Sequence, residues 1–78
     1  MDGYRIVLIT APAEAAGRIA RALVEGGLAA CVNIVPGLTS VYRWKGKVEE
    51  SSEVLLVAKT TEGMVGRLVE SVRRLHPY

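Results

Sequence analysis

The stretch ACVNIVPGLTSVYRWKGKVEESSEVLLVAKT, from Ala30 to Thr60, decides the fold of this chain. Apolar and polar residues alternate at its start, and the apolar run EVLLVAKT ends it, so two strands are predicted. Lys45–Gly46 is a turn signal between them, while Pro36–Gly37 indicates a bend or bulge in the first strand. We therefore expect one long, bent, antiparallel hairpin with Lys45–Gly46 at its tip.

The flanking segments complete a β-α-β-β-α order. The β-branched run Tyr4–Thr10 predicts a strand that is buried on both faces and central in the sheet. A helix with an apolar stripe is predicted between Pro12 and Gly27, and a second helix over roughly Glu62–Leu75, capped by Thr60 or Thr61. The predicted fold class is therefore α+β, a ferredoxin-like split βαβ sheet that one further strand would complete.

Length and composition favour one small domain over residues 1–78. A single cysteine excludes a disulfide-stabilised secreted domain and favours a cytoplasmic location. The net charge of +2 comes from mixed signs, which argues against a nucleic-acid partner. No apolar run approaches the ~18 residues of a membrane span, and no signal peptide is recognised, so no membrane partner is expected. Because so short a chain buries little core, and its hairpin exceeds what that core can cover, we expect an oligomer.

The sequence contains none of the common catalytic motifs. Gly-rich phosphate loops, HExxH and paired cysteines are all missing from it. We therefore expect a protein that is not an enzyme and that needs no cofactor to fold.

Cys31 and His76 are the candidate metal ligands. Thiolate is a soft donor that suits Cu(I), and imidazole is a common metal ligand. The alternatives are a small buried hydrophobic residue for Cys31, and a capping or packing residue at a helix end for His76. One cysteine and one histidine supply too few ligands for an ion unless several chains combine them.

Tyr42, Trp44 and Lys59 are the candidate ligand-binding residues. Tyr42 and Trp44 share a strand face beside the hairpin tip, where they either pack in an oligomer interface or form the wall of a cleft. Lys59 ends an apolar strand, so its ammonium either reaches solvent or points into a cleft. A cation beside aromatic side chains would suit a small anionic ligand.

Several stretches of the sequence closely resemble the CutA family of divalent-cation-tolerance proteins. They are LAACVNIVPGLTSVYRWKGK at residues 28–47, EVLLVAKTT at residues 53–61, ITAPAE at residues 9–14 and the terminal His76-Pro77-Tyr78. The resemblance runs over nearly the whole chain, and the long first motif is far more specific than a lone short one.

The resemblance implies a ferredoxin-like, PII-like fold and a homotrimer in which long strands pair across subunits. It implies a non-enzymatic role in tolerance of copper and other divalent cations, with copper as a possible bound ion. A PII-like sensor that binds a small anionic ligand is the alternative. The clefts between subunits would gather the motif residues Cys31, Tyr42, Trp44, Lys59, His76 and Tyr78.

Two features of this chain differ from the family pattern. Family members with a copper site have a cysteine at the position of Ile9 and a second histidine at the position of Leu75. The family pattern also continues past Tyr78 with a strand and a helix, so the resemblance implies a C-terminally incomplete domain.

Overall fold

The computed structural model describes residues 3–76. Its elements, in chain order, are β1 (Tyr4–Ala11), α1 (Ala13–Glu25), β2 (Cys31–Trp44), β3 (Lys47–Thr61), a 3₁₀ turn (Glu62–Met64) and α2 (Val65–Leu75). The predicted α+β class, the β-α-β-β-α order and the long antiparallel hairpin are confirmed.

The central strand of the sheet is β3, because the strand order is β1-β3-β2. β1 pairs antiparallel with β3, from Tyr4 opposite Thr61 to Ala11 opposite Val54. The prediction that β1 is central and buried on both faces is therefore wrong for residues 3–76. A continuous apolar run is typical of a strand covered on both sides, but only alternate residues of β1 approach burial here.

The hairpin ends in the predicted two-residue turn. Lys45 and Gly46 have φ angles of 50° and 78°, and positive φ at both central positions is the requirement of a type I′ turn. The register shifts between Val35 and Leu38, where β2 carries one residue more than β3, as the proline and glycine there predict.

The outer part of the hairpin projects beyond the rest of the molecule. β1 ends opposite Val54, so residues 38–53, which we call the arm, continue past it as a two-stranded ribbon. The projection gives the chain a longest dimension of 45 Å against 21 and 19 Å in the other directions.

One face of the sheet, the covered face, packs against the helices. Alternate residues of β3 from Val54 to Thr60 are buried there, together with Ile9 and Ala11 of β1. α2 contributes Leu68. α1 buries four residues of its predicted apolar stripe, Ala16, Ile19, Ala20 and Leu23, together with Ala15, whereas Gly27, the fifth predicted member, lies beyond the end of the helix.

The opposite face, the open face, is apolar and exposed. Tyr4, Ile6 and Leu8 have exposed fractions of 81%, 64% and 65%. Ile6 lies opposite Lys59, which in turn lies opposite Cys31, so these side chains form one row across this face.

The second helix begins later than predicted. A 3₁₀ turn occupies Glu62–Met64, and Thr61 makes no side-chain cap. Thr60 is buried, and its hydroxyl donates to the Leu28 carbonyl oxygen at 2.7 Å, so it holds the loop before β2 in place of capping a helix. Within residues 3–76, neither helix is long and apolar enough to cross a membrane.

Candidate functional site

Two grooves contain most of the side chains that the sequence marks as functional. The first, which we call the Lys59 groove, has a volume of about 600 Å³. Its described walls come from the start of β1, residues 27–30, the start of β2, the end of β3 and Met64. Lys59 and Cys31 both line it.

The charged side chains among the described walls of this groove are both cationic. Arg5 is already held, because its Nη2 lies 3.4 Å from Glu62 Oε2 and its Nη1 donates to the Tyr4 carbonyl oxygen at 2.9 Å. Lys59 takes part in none of the salt bridges found within residues 3–76. The groove therefore presents one exposed ammonium whose charge no carboxylate in the described part of the chain balances.

Cys31 lies directly opposite Lys59 in the β2–β3 ladder. Its thiol is free and half-buried. The ammonium of Lys59, on the neighbouring strand, repels a metal cation near this thiol and attracts an anion. Within a single chain, the surroundings of Cys31 are thus better suited to an anion than to a metal ion.

The second groove, which we call the Trp44 groove, lies where β1 stops and the arm continues. Its volume is about 670 Å³, and its walls include Thr10, Tyr42, Trp44 and the nearly buried Glu53. Tyr42 and Trp44 share a face, as predicted, with exposed fractions of 42% and 60%. Lys45 Nζ lies 5.7 Å from the centroid of the Trp44 ring, which is a cation–π contact at an exposed site.

His76 lies beside the Trp44 groove through its contact with β1. Its Nε2–H donates to the Thr10 carbonyl oxygen at 2.6 Å. A nitrogen that donates this hydrogen bond carries a proton, so a metal ion can coordinate Nε2 only if the bond to Thr10 is broken.

One chain does not bring the two candidate metal ligands together. The Thr10 carbonyl, which His76 contacts, lies four residues along β1 from Ile6. Ile6 lies in the same cross-strand row as Lys59 and Cys31. At ~3.3 Å per strand residue, the two rows are about 13 Å apart, whereas bonds from zinc to sulfur or nitrogen are about 2.0–2.3 Å long. Residues 3–76 contain no group of three or more His, Cys, Asp or Glu side chains that could hold a metal ion.

The two positions at which the resemblance implies metal-ligating residues are occupied by core residues. Ile9 is buried on the covered face, and Leu75 packs against the same core. Neither side chain has a donor atom. Tyr78, the last of the predicted cleft residues, lies outside the described residues.

The structure also divides the predicted ligand-cleft residues. Lys59 lies in one groove and Tyr42 and Trp44 in the other. Tyr4 and Arg5, which sequence reasoning did not single out, line the Lys59 groove with it. The register of β1 against β3 would have identified them, because Tyr4 and Arg5 lie opposite the two residues after Lys59.

Comparison with family models matches residues 5–78 to the CutA1 divalent ion tolerance protein family. The divalent-cation tolerance protein CutA of Thermus thermophilus is 61% identical over 74 residues, which cover 94% of this chain and 72% of that protein. Protein CutA of Mus musculus is 56% identical over 71 residues, which cover 90% of this chain. The chain spans only 40% of the length of that mouse relative.

Solved structures agree with the fold. The Thermus thermophilus divalent cation tolerance protein superposes with a TM-score of 0.90 at 59% identity, covering 96% of this chain and 74% of that one. A protein described as the PII-like protein CutA of Nostoc, in apo form, superposes with a TM-score of 0.88 at 44% identity. That match covers 94% of this chain and 69% of the Nostoc chain.

Proposed function

The chain belongs to the CutA1 family of divalent ion tolerance proteins, and we propose that it works as a homotrimer in the response to divalent metal ions, copper among them. The role is one of binding and response, and it needs no catalytic residue. The open face is the observation that carries the assembly, because three large apolar side chains of one strand are each more than 60% exposed there.

A second copy of the chain is the occupant we propose for this face. Monomeric soluble proteins rarely expose large contiguous apolar patches, and such patches mark interaction surfaces. The arm adds further unpartnered apolar area on both of its faces, since Trp44 is exposed on one face and Val41 and Val48 on the other. The number three comes from the family resemblance.

Copper binding by Cys31 and His76 is proposed only for sites that different subunits build together. Cys31 and His76 of one chain lie too far apart to bind the same ion. The ammonium of Lys59 also repels a cation at Cys31. In a trimer, His76 of one subunit and Cys31 of the next would have to approach each other, and each would have to give up its present surroundings.

We expect Cys31→Ala and His76→Ala each to weaken copper binding by the full chain at least about tenfold. Loss even of groups that only support a ligand typically costs 10–100-fold in metal affinity. The measurement is calorimetric titration with Cu(II) and Zn(II), and with Cu(I) under anaerobic conditions against a competing chelator. Glu25→Ala, which removes an exposed carboxylate on α1, is the control. Equal affinity in all variants would eliminate any role for these two ligands.

A second function is favoured by Lys59 alone. We propose as the alternative that the protein is a PII-like sensor that binds a small anionic ligand in clefts between subunits. The supporting observation is an ammonium on an apolar strand face that forms no salt bridge within residues 3–76.

For this alternative, at least one anionic metabolite should raise the melting temperature of the wild-type chain and fail to raise that of Lys59→Ala. A ligand present at 100 times its dissociation constant stabilises by about 2.7 kcal/mol, which a thermal-shift screen detects readily. Lys47→Ala removes the same charge from the arm and serves as the control. A screen without any shift that depends on Lys59 would count decisively against the alternative.

A further inference from the structure

The arm leaves most of its surface uncovered in a single chain. Every residue from 41 to 50 is exposed, and four of them have large apolar side chains: Val41, Tyr42, Trp44 and Val48. In contrast, alternate residues of β3 from Val54 to Thr60 are buried under the helices. Fixing the backbone of a segment costs conformational entropy, which the burial of apolar surface normally offsets. A single chain supplies little such burial to hold the arm in one conformation.

The residues that face each other across the arm do not form apolar pairs. Each of its seven directly opposed pairs contains at least one polar or charged side chain, as Trp44 opposite Lys47 does. On the other side of the bulge, apolar residues do oppose each other, for example Val35 and Leu55. Cross-strand apolar and aromatic pairs contribute much of the stability of a sheet, and an isolated two-stranded hairpin is at best marginally stable. The arm by itself is therefore close to an isolated hairpin.

The bulge separates the arm from the rest of the hairpin. The register shift between Val35 and Leu38 interrupts the ladder of hydrogen bonds there. Pro36 has no backbone N–H to donate, and Gly37 has a φ angle of 83°, which a residue with a side chain rarely adopts. The arm can therefore open as far as the bulge while residues 31–35 keep their pairing with β3.

Building on the homotrimer proposed above, we propose that the arm is a separate folding unit that is largely open in single chains and closes when a second copy covers its apolar side chains. Proteins commonly open in such units at a lower free energy than that of global unfolding. In its closed conformation the arm supplies most walls of the Trp44 groove, including Tyr42, Trp44 and Glu53. That groove is therefore complete only in the assembled protein, and a molecule bound in it would favour assembly.

Hydrogen exchange on the full chain tests the proposal. Leu8→Asp supplies the single chains, because it places a carboxylate in the middle of the open face. Amides that pair across the arm should exchange at least about a hundredfold more slowly in the wild-type assembly than in Leu8→Asp. The buried part of β3, residues 54–60, should stay protected in both proteins, because the helices cover it within one chain. Light scattering on the same samples gives the mass of each protein.

Two matched glycine substitutions measure the coupling between the arm and assembly. Gly46→Ala strains the tip of the arm at a φ angle of 78°, and Gly27→Ala strains the loop after α1 at 72°. At both positions an added Cβ meets no atom within 4 Å in the described part of the chain, so strain is the only effect. Strain of this kind shifts an equilibrium about tenfold.

The two variants should differ in assembly. Because the arm closes only on assembly, Gly46→Ala should raise the dissociation constant about tenfold for each subunit. The strain at Gly27 is present in single chains and in the assembly alike, so Gly27→Ala should lower stability against denaturant and leave the dissociation constant unchanged. Sedimentation equilibrium measures this constant.

The results that overturn this proposal differ from those that overturn the homotrimer. A wild-type protein of single-chain mass removes the homotrimer, and the coupling fails with it. If the wild type is a trimer and the arm of Leu8→Asp exchanges as slowly as residues 54–60, the arm folds on its own and only the coupling is wrong. Equal effects of Gly46→Ala and Gly27→Ala on the dissociation constant would also overturn the coupling while the homotrimer stands.

Discussion

Leu8→Asp is expected to convert the proposed homotrimer, with a mass of about three times 8.4 kDa, into single chains of 8.4 kDa. Leu8 is 65% exposed in one chain and lies in the middle of the open face, beside Val57 of β3. A carboxylate buried there by a second copy costs several kcal/mol, which the ammonium of Lys59, diagonally across the same face, offsets only in part. Since each 1.4 kcal/mol is a factor of ten, the dissociation constant of the assembly should rise at least a hundredfold.

Light scattering coupled to size-exclusion chromatography measures this mass directly. Val24→Asp makes a comparable apolar-to-acid change on the exposed side of α1 and should leave the mass unchanged. Circular dichroism shows whether Leu8→Asp is still folded, which its exposure in the single chain leads us to expect. A wild-type protein of single-chain mass would contradict the trimer outright, and a folded Leu8→Asp trimer would exclude the open face as its interface.

Leu56→Ala should lower the free energy of unfolding by about 3 kcal/mol, within the 2–5 kcal/mol typical of such truncations. Leu56 is fully buried on the central strand, and it lies opposite Ile9 on one side and Ile34 on the other. The truncation leaves a cavity that both neighbouring strands border. For a chain of this size, the loss corresponds to roughly 12–24 °C in melting temperature, at 4–8 °C per kcal/mol.

Denaturant unfolding at one fixed protein concentration measures the loss, because assembly makes apparent stability depend on concentration. Val24→Ala, a truncation at a half-exposed position on α1, is the control and should change stability by no more than about 0.5 kcal/mol. A loss below 1 kcal/mol for Leu56→Ala would mean that the covered face is not the main core of this protein.

The hairpin and the first helix could be predicted because their signals are local. Lys45–Gly46 supplies the positive φ angles of the turn, and Pro36–Gly37 marks the bulge, independently of the rest of the chain. The apolar stripe of α1 likewise follows from spacing alone. The position of β1 could not be predicted in this way, since an apolar strand has the same composition whether helices or a second subunit cover its other face.

The candidate site could be predicted only in part, because it depends on register. Counting outward from the turn without a bulge pairs Lys59 with Val32, whereas the extra residue of β2 pairs it with Cys31. The sequence marks Cys31 and Lys59 as unusual but does not make them neighbours. The loss of Thr60 as a cap has a similar origin, because its hydroxyl contacts Leu28, which is 32 residues away in sequence.

The extra residue between Val35 and Leu38 has a consequence for the whole arm. Before the extra residue in the chain, odd-numbered residues of β2 such as Cys31 lie on the open face. After it, even-numbered residues such as Tyr42 and Trp44 lie on that face. A single insertion thus changes the frame of the strand and brings a thiol and two aromatic rings to the same side of one ribbon. The number of residues between Val35 and Leu38 therefore determines which face of the arm carries Tyr42 and Trp44.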